Sequence, residues 1–188
     1  MTTWILATQN PHKLTEAQQI VGSAVRLLPL PPGLPAAEEH EPTLYGNALA
    51  KARFYRPYVA YPVLAEDSGL FVPALGGKPG VQSARYGGPE RLLQELPPEA
   101  ELYAYFAAVV VAYFSEETYY FFHGLWEGRL SRERRGTEGF GYDPIFIPAK
   151  EQRTVAELGQ AWKVQHSHRA QALRKWLVWL SSQNQVGL

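Results

Sequence analysis

Leu64-Ala65-Glu66-Asp67-Ser68-Gly69-Leu70-Phe71 is the stretch on which the reading of this chain turns. The apolar run Pro62-Val63-Leu64-Ala65 ends abruptly in two carboxylates, a hydroxyl and a glycine. Continuous apolar runs are typical of strands buried on both faces, and open α/β sheets take ligands beyond their strand ends. The pattern predicts a buried strand whose end delivers Glu66 and Asp67 to a cleft. A glycine-bearing loop, Gly76-Gly77-Lys78-Pro79-Gly80-Val81, then leads to Ser83-Ala84-Arg85-Tyr86.

Upstream of this stretch, Thr43 is a plausible cap for a helix continuing to about Arg53. Asn47 and Lys51 are four residues apart in it and share one face. Before it lie a proline-rich loop, Pro29 to Pro35, and an acidic segment with Glu38, Glu39 and Glu41. That segment reads either as a solvated loop or as the source of a carboxylate for a metal. Val25 to Leu30 and Trp4 to Ala7 read as strands, and a helix is predicted from about His12 to Val21. Between strand and helix, Thr8-Gln9-Asn10-Pro11-His12-Lys13 forms a polar turn. Free N–H groups, the helix dipole and the lysine charge all suit an anion there, although an ordinary capped helix gives the same pattern.

Downstream, a short helix from Pro89 to Leu96 stops at Pro97-Pro98. Leu102 to Phe114 and Thr118 to Leu125 read as an antiparallel hairpin, which makes the sheet mixed. Gly136 to Pro144 is a glycine-rich loop carrying Phe140, Tyr142 and Asp143, and a strand Ile145-Phe146-Ile147 follows. Glycine lets backbone approach a ligand closely, and an aromatic held there can stack on a base. Thr154 and Glu157 fit a capping box. In the last helix Ala170, Leu173, Leu177 and Leu180 form the expected apolar stripe, with Trp176 and Trp179 toward its edges. His168 and Arg169 stand near its N-terminus, where positive charge opposes the dipole; that local conflict points to function.

Composition narrows the classes. A chain of 188 residues is expected to be one domain, residues 1–188. Its 18 basic and 18 acidic residues cancel, so it lacks the basic balance of many nucleic-acid binders. It has no cysteine, which removes disulfides and thiolate metal sites. The start Met1-Thr2-Thr3-Trp4 lacks signal-peptide character, and no apolar run is long enough to span a membrane. The expectation is a cytoplasmic protein with no membrane or nucleic-acid partner. Oxygen-only acidic ligands point to Mg²⁺. Phosphate turn, metal and aromatic loop together suggest a nucleotide.

These motifs, in this order, resemble the non-canonical purine nucleoside triphosphate pyrophosphatases that hydrolyse ITP, dITP and XTP. The resemblance runs from Ile5 to about Leu180. It rests on Ala7 to Lys13, Asn47 to Ala52, Glu66 to Leu70, Leu75 to Val81, Ser83 to Tyr86, Gly139 to Phe146 and Ser167-His168-Arg169. It implies an α/β fold with a mixed central β-sheet flanked by helices, two lobes with an active-site cleft between them, and a homodimer. It implies Mg²⁺-dependent hydrolysis of the triphosphate to monophosphate and pyrophosphate. Carried over by position, Asp67 looks like the proton acceptor and a metal ligand, with Glu38 its metal partner. Lys51 looks like a catalytic or phosphate-holding lysine, and Asn47 and Ser68 like substrate contacts. Thr8, Gln9, Asn10, Pro11, His12 and Lys13 look like the triphosphate turn, and Phe140, Gly141, Tyr142, Asp143, Lys163, His168 and Arg169 like the base site.

The chain departs from that family at His12, where glycine is usual, at Glu66, where many members carry a second aspartate, at His166, and in a short segment from Gly88 to Leu96. A pyrophosphatase of modified pyrimidine triphosphates and a non-catalytic nucleotide-binding module are the rival readings.

Overall fold

The computed structural model describes residues 2–186, with side chains through residue 183. Its strands are β1 (Thr2–Leu6), β2 (Val25–Leu28), β3 (Val63–Phe71), β4 (Tyr103–Ser115), β5 (Thr118–Leu130) and β6 (Phe146–Pro148). Its helices are α1 (Pro11–Val21), α2 (Leu44–Tyr55), α3 (Gly88–Glu95), α4 (Val155–Leu158), α5 (Gln160–His166) and α6 (His168–Val186). The strands form one six-stranded sheet in the order β2-β1-β3-β4-β5-β6. β1 pairs parallel with β2 and with β3, whereas β5 and β6 are antiparallel. The connection of β4 to β5 through Glu116-Glu117 is a hairpin, which only antiparallel strands allow. The fold is therefore the mixed α/β class that the sequence predicts.

The chain forms two compact units. Among the described residues, unit 1 holds 2–67, 108–124 and 169–186, and unit 2 holds 68–107 and 125–168. In unit 1, Trp4, Leu6, Leu27, Leu64, Val110 and their neighbours on the strands pack with Ala17 and Val21 of α1 and with Ala172, Leu173 and Trp176 of α6. In unit 2, Leu70, Val72, Phe106, Trp126 and Phe146 pack with Tyr86, Leu92 of α3 and Val155 of α4. The division falls within β3 between Asp67 and Ser68, and at the start of α6 between His168 and Arg169. Each of these two motifs thus gives one side chain to each unit.

Two local expectations are corrected. The strand bearing Asp67 does not end at the carboxylates: β3 continues to Phe71, and its burial resumes at Gly69 and Leu70. The Leu70 N–H donates to Ser83 Oγ at 2.8 Å, and Ser83 Oγ donates on to the Gly80 carbonyl at 2.7 Å. A side chain at position 69 would put its Cβ 2.2 Å from the Gly80 carbonyl oxygen, so only glycine lets the two backbones approach. The second correction concerns α6. Trp176 is fully buried, edge-on to Trp4 at 5.2 Å between centroids, while Leu177 and Leu180 are only partly covered. The stripe is rotated toward Ala172, Leu173 and Trp176, because the small residues Ala170 and Ala172 leave room for the indole.

Candidate active site

In unit 1, α1 begins at the polar turn. Asn10 is its N-cap and accepts from His12 N at 2.9 Å, with Pro11 in the first turn. Thr8 Oγ1 accepts from Asn10 N at 3.1 Å, and Gln9 Nε2 donates to the Leu34 carbonyl at 3.0 Å. The turn is thereby locked with the helix N-terminus beside it, an arrangement that suits an anion. Lys13 Nζ lies 3.8 Å from Glu66 Oε2. Burial holds the Lys13 ammonium below its ordinary pKa, while Glu66 pulls it back up.

Helix α2 is capped by Thr43, whose side chain accepts from Gly46 N. It buries Asn47 and Lys51 on the face that also carries Leu44, Ala48 and Ala52. Lys51 Nζ donates to the Glu66 carbonyl at 3.1 Å and is ion-paired with Glu39. Asn47 Oδ1 accepts from Glu41 N at 3.0 Å. Asn47 Nδ2 and Asp67 Oδ2 are both buried without a well-formed hydrogen bond among the described residues, and the Asn47 amide faces the Asp67 carboxyl closely enough to lower its pKa. Buried polar atoms are normally paired, so the two mark a place prepared for a ligand. Burial pushes the Asp67 carboxyl up to about 6; the Lys51 ammonium pulls against this and Glu39 adds to it.

Of the acidic loop, Glu39 is the carboxylate that turns toward Lys51 and Asp67. Glu38, the expected metal partner of Asp67, has a side chain 83% exposed and stands 3.4 Å from His40 Nε2. The donors present near Asp67 are carboxylate oxygens, which suits a hard divalent cation such as Mg²⁺. Among the described residues no group of three or more His, Cys, Asp or Glu forms a metal cluster.

Arg169, expected at the base, has its guanidinium in unit 1. It is 3% exposed, forks onto Glu66 (Nε to Oε2 3.0 Å, Nη2 to Oε1 3.1 Å) and donates to Glu16 Oε1 at 2.6 Å through Nη1. Burial opposes its charge, yet Glu66 and Glu16 hold it above its ordinary pKa. Glu16 belongs to no motif of the sequence, and within the acidic segment it is Glu39, not Glu38, that meets Lys51. Glu16 is a helix residue with 1% exposure, and the one signal for it was its position three residues after Lys13.

In unit 2, the glycine-rich loop is fastened by Asp143, whose Oδ2 accepts from Phe140 N at 2.9 Å and from Lys163 Nζ at 2.7 Å. Gly139 has φ +80°, and a Cβ there would meet Asp143 Oδ2 at 2.2 Å. Lys163 Nζ sits 4.0 Å from the Phe140 ring centroid, a cation–π contact. The Tyr142 hydroxyl donates to the Ser83 carbonyl at 2.9 Å, and burial pushes it up to about 12, so it stays protonated at neutral pH. Gly141 is exposed and Ser68 half-buried. The His168 ring, 4% exposed, stacks on Phe106 at 4.7 Å and 9°, with Trp126 at 6.0 Å. The structure therefore gathers Thr8 to Lys13, Asn47, Lys51 and Asp67 in unit 1, and Phe140, Tyr142, Asp143, Lys163 and His168 in unit 2.

Residues 4–179 match the family model described as the Ham1 family. A dITP/XTP pyrophosphatase from Halalkalibacterium halodurans is 39% identical over 194 aligned residues, covering 96% of this chain and 100% of that protein. Another from Symbiobacterium thermophilum is 41% identical and covers 92% of each chain. Among solved structures, a HAM1 protein from Coxiella burnetii superposes with a TM-score of 0.86 at 37% identity, covering 97% of this chain and 100% of that one. The Staphylococcus aureus Ham1 protein gives a TM-score of 0.83 at 31% identity, covering 96% and 99%.

Proposed function

Because the chain belongs to the Ham1 family, we propose that it hydrolyses the non-canonical purine nucleoside triphosphates dITP, XTP and ITP to the monophosphate and pyrophosphate, clearing them from the nucleotide pool. The observation that carries the catalytic assignment is the buried Asp67 carboxyl, faced by the Asn47 amide and with Lys51 bonded to the carbonyl of the preceding residue. Asp67 accepts the proton of the attacking water. The new P–O bond forms at the α-phosphorus, and the bond to the bridging oxygen breaks, so pyrophosphate leaves. A carboxylate raised toward neutral pH is a stronger base than an ordinary aspartate and is still ionised in most molecules at pH 7.

Thr8 to Lys13 and the N-terminus of α1 hold phosphate oxygens, and Lys13 and Lys51 offset charge that would otherwise repel the attacking oxygen. Asn47 Nδ2 and Ser68 donate to substrate oxygens. Asp67 and Glu39 would hold a Mg²⁺ ion, with Glu38, exposed beside His40, able to join only by turning inward. When bound, that ion supplies charge neutralisation on the phosphates and on the departing pyrophosphate.

On the base side, Phe140 offers a ring face opposite its lysine, Gly141 keeps the approach open, and Tyr142, Asp143 and Lys163 hold the loop in shape. His168 donates to the 6-keto oxygen of hypoxanthine or xanthine, where adenine presents an amino donor; a buried donor left unpaired costs roughly 1–3 kcal/mol. No helix of the described residues is long and apolar enough to cross a membrane. The proposal includes a cytoplasmic homodimer without a nucleic-acid partner. Turnover of dITP, XTP, dGTP and dUTP with Mg²⁺, measured side by side, tests the substrate assignment. Preference for dITP and XTP with pyrophosphate as product is expected; preference for dUTP would overturn it.

A further inference from the structure

Between β2 and α2 the chain runs irregularly from Pro29 to Thr43. Long connections without secondary structure of their own are uncommon and usually functional. The acidic half of this one is fastened to a single helix at regular intervals. The Tyr55 hydroxyl accepts from Ala37 N at 3.0 Å and donates to the Pro35 carbonyl at 3.0 Å. Lys51 is ion-paired with Glu39, and Asn47 Oδ1 accepts from Glu41 N at 3.0 Å. On α2, Asn47, Lys51 and Tyr55 are four residues apart and form one stripe; all three are buried. On the acidic segment their partners Glu41, Glu39 and Ala37 are two apart and run the opposite way. The two spacings match, because four residues of helix rise about 6 Å and two residues of extended chain cover about 6.6 Å. Alternate exposure follows. Glu38 and His40 fall between the contacts, and their side chains are 83% and 76% exposed, whereas that of Glu39 is 24% exposed.

We propose that Tyr55 is a positioning residue for the hydrolytic site: its hydroxyl sets the register in which the acidic segment zips along α2, and that register brings Glu39 to Lys51. The inference rests on the proposed roles of Lys51 and Asp67. Glu38 and Glu39 are the same chemically, so the choice between them comes from the backbone contacts on either side. A slip of one residue would set Glu38 or His40 against Lys51. Tyr55 blocks that slip at one end by holding a carbonyl and an N–H two residues apart. A phenol suits the position because its hydroxyl both donates and accepts, and its buried ring makes that hydroxyl a fixed point. Asn47 holds the other end through Glu41 N. Gly46 lets this end close, since a Cβ there would stand 2.7 Å from Glu41 Cβ. Glu39 meets the same ammonium that Lys51 directs at the Glu66 carbonyl, so loosening the segment removes a partner that holds Lys51 beside Asp67.

The test uses Tyr55→Phe and Gly46→Ala, which act on opposite ends of the segment. The first keeps the buried ring, and the second puts the best helix former into α2, so both variants are expected to fold. Amide hydrogen exchange by NMR reads the zipper without turnover. Tyr55→Phe frees the Ala37 amide directly, and the distant Glu41 amide is expected to exchange about tenfold faster or more, because the contacts open as one unit. Gly46→Ala is expected to quicken Ala37 exchange in the same way. In both variants the Mg²⁺ concentration for half-maximal turnover is expected to rise about tenfold, equally on dITP and XTP, with nucleotide KM at saturating Mg²⁺ within about threefold. Unchanged Glu41 exchange in Tyr55→Phe would mean fastenings that act singly and would overturn the proposal. Wild-type Mg²⁺ dependence in variants whose segment has loosened would overturn it too. A wild-type protein that leaves dITP intact sinks the functional proposal instead, and the exchange rates still decide the register.

Discussion

Lys51 Nζ donates a 3.1 Å hydrogen bond to the carbonyl of Glu66, the residue directly before Asp67. This bond ties helix α2 to strand β3 beside the Asp67 carboxyl, the base in the proposed reaction, and places the lysine there independently of any substrate. Replacing Lys51 with methionine keeps the apolar stem and removes the charge. A fall in kcat of about 10²–10³-fold is expected, the scale of losing one preorganised electrostatic partner. Because Lys51 lowers the Asp67 pKa, its removal is also expected to raise that pKa further. Direct titration of the Asp67 carboxyl by NMR in Lys51→Met checks this; an unchanged or lower value would contradict it.

Asp67 makes the metal-free protein less stable as pH rises through its titration. Its folded pKa of about 6 lies above the ordinary value of 3.8. Between these values Asp67 binds more protons in the folded state than in the unfolded one, so its contribution to stability falls from pH 4 to pH 7. The contribution is about 3 kcal/mol at most. Asp67→Asn, which stays neutral, is expected to lose most turnover, to gain stability at pH 7 by up to that amount, and to flatten this part of the pH dependence. Urea unfolding of both proteins in EDTA at pH 4 and pH 7 measures it. A variant less stable than wild type at pH 7 would contradict it.

Metal binding should release a proton near pH 6. Coordination needs the ionised carboxylate, and around pH 6 about half of the Asp67 side chains carry a proton. Titration of the protein with Mg²⁺ in buffers of different ionisation enthalpy is expected to show release of roughly half a proton at pH 6 and almost none at pH 8. Equal release at both pH values would remove Asp67 from the ligand set.

Gly69→Ala tests how the glycine next to the site is used. The new Cβ would stand 2.2 Å from the Gly80 carbonyl, a backbone atom that cannot swing away. Destabilisation of about 1–3 kcal/mol is expected from the forced separation, with reduced turnover because Ser68 moves with the strand. Chemical denaturation together with an activity assay checks both outcomes, and a neutral substitution would show that the segment from Gly80 to Ser83 yields freely.

The elements legible in the sequence were those announced by long apolar runs and by punctuation. Trp4 to Ala7, Val63 to Ala65 and the β4–β5 hairpin lie where the runs place them, and Asn10, Thr43 and Thr154 cap the helices that follow. The less legible features depended on which way a side chain turns. Glu38 and Glu39 are chemically identical neighbours in a loop without periodicity, and only the folded backbone sends Glu39 to Lys51. Glu16 looks like a surface residue of α1 until an arginine far along the chain arrives to neutralise it. The carboxylates of β3 resemble a strand terminus because buried strands seldom carry charge, yet their partners on α1, α2 and α6 let the strand run on.

The most direct test of the central claim is hydrolysis of dITP in ¹⁸O-labelled water, with the products resolved by ³¹P NMR. Attack at the α-phosphorus, as Asp67 is placed to assist, predicts the label in the nucleoside monophosphate, unlabelled pyrophosphate, and near-complete loss of both products in Asp67→Asn. Label in the pyrophosphate or in free phosphate, or undiminished turnover in Asp67→Asn, would contradict it.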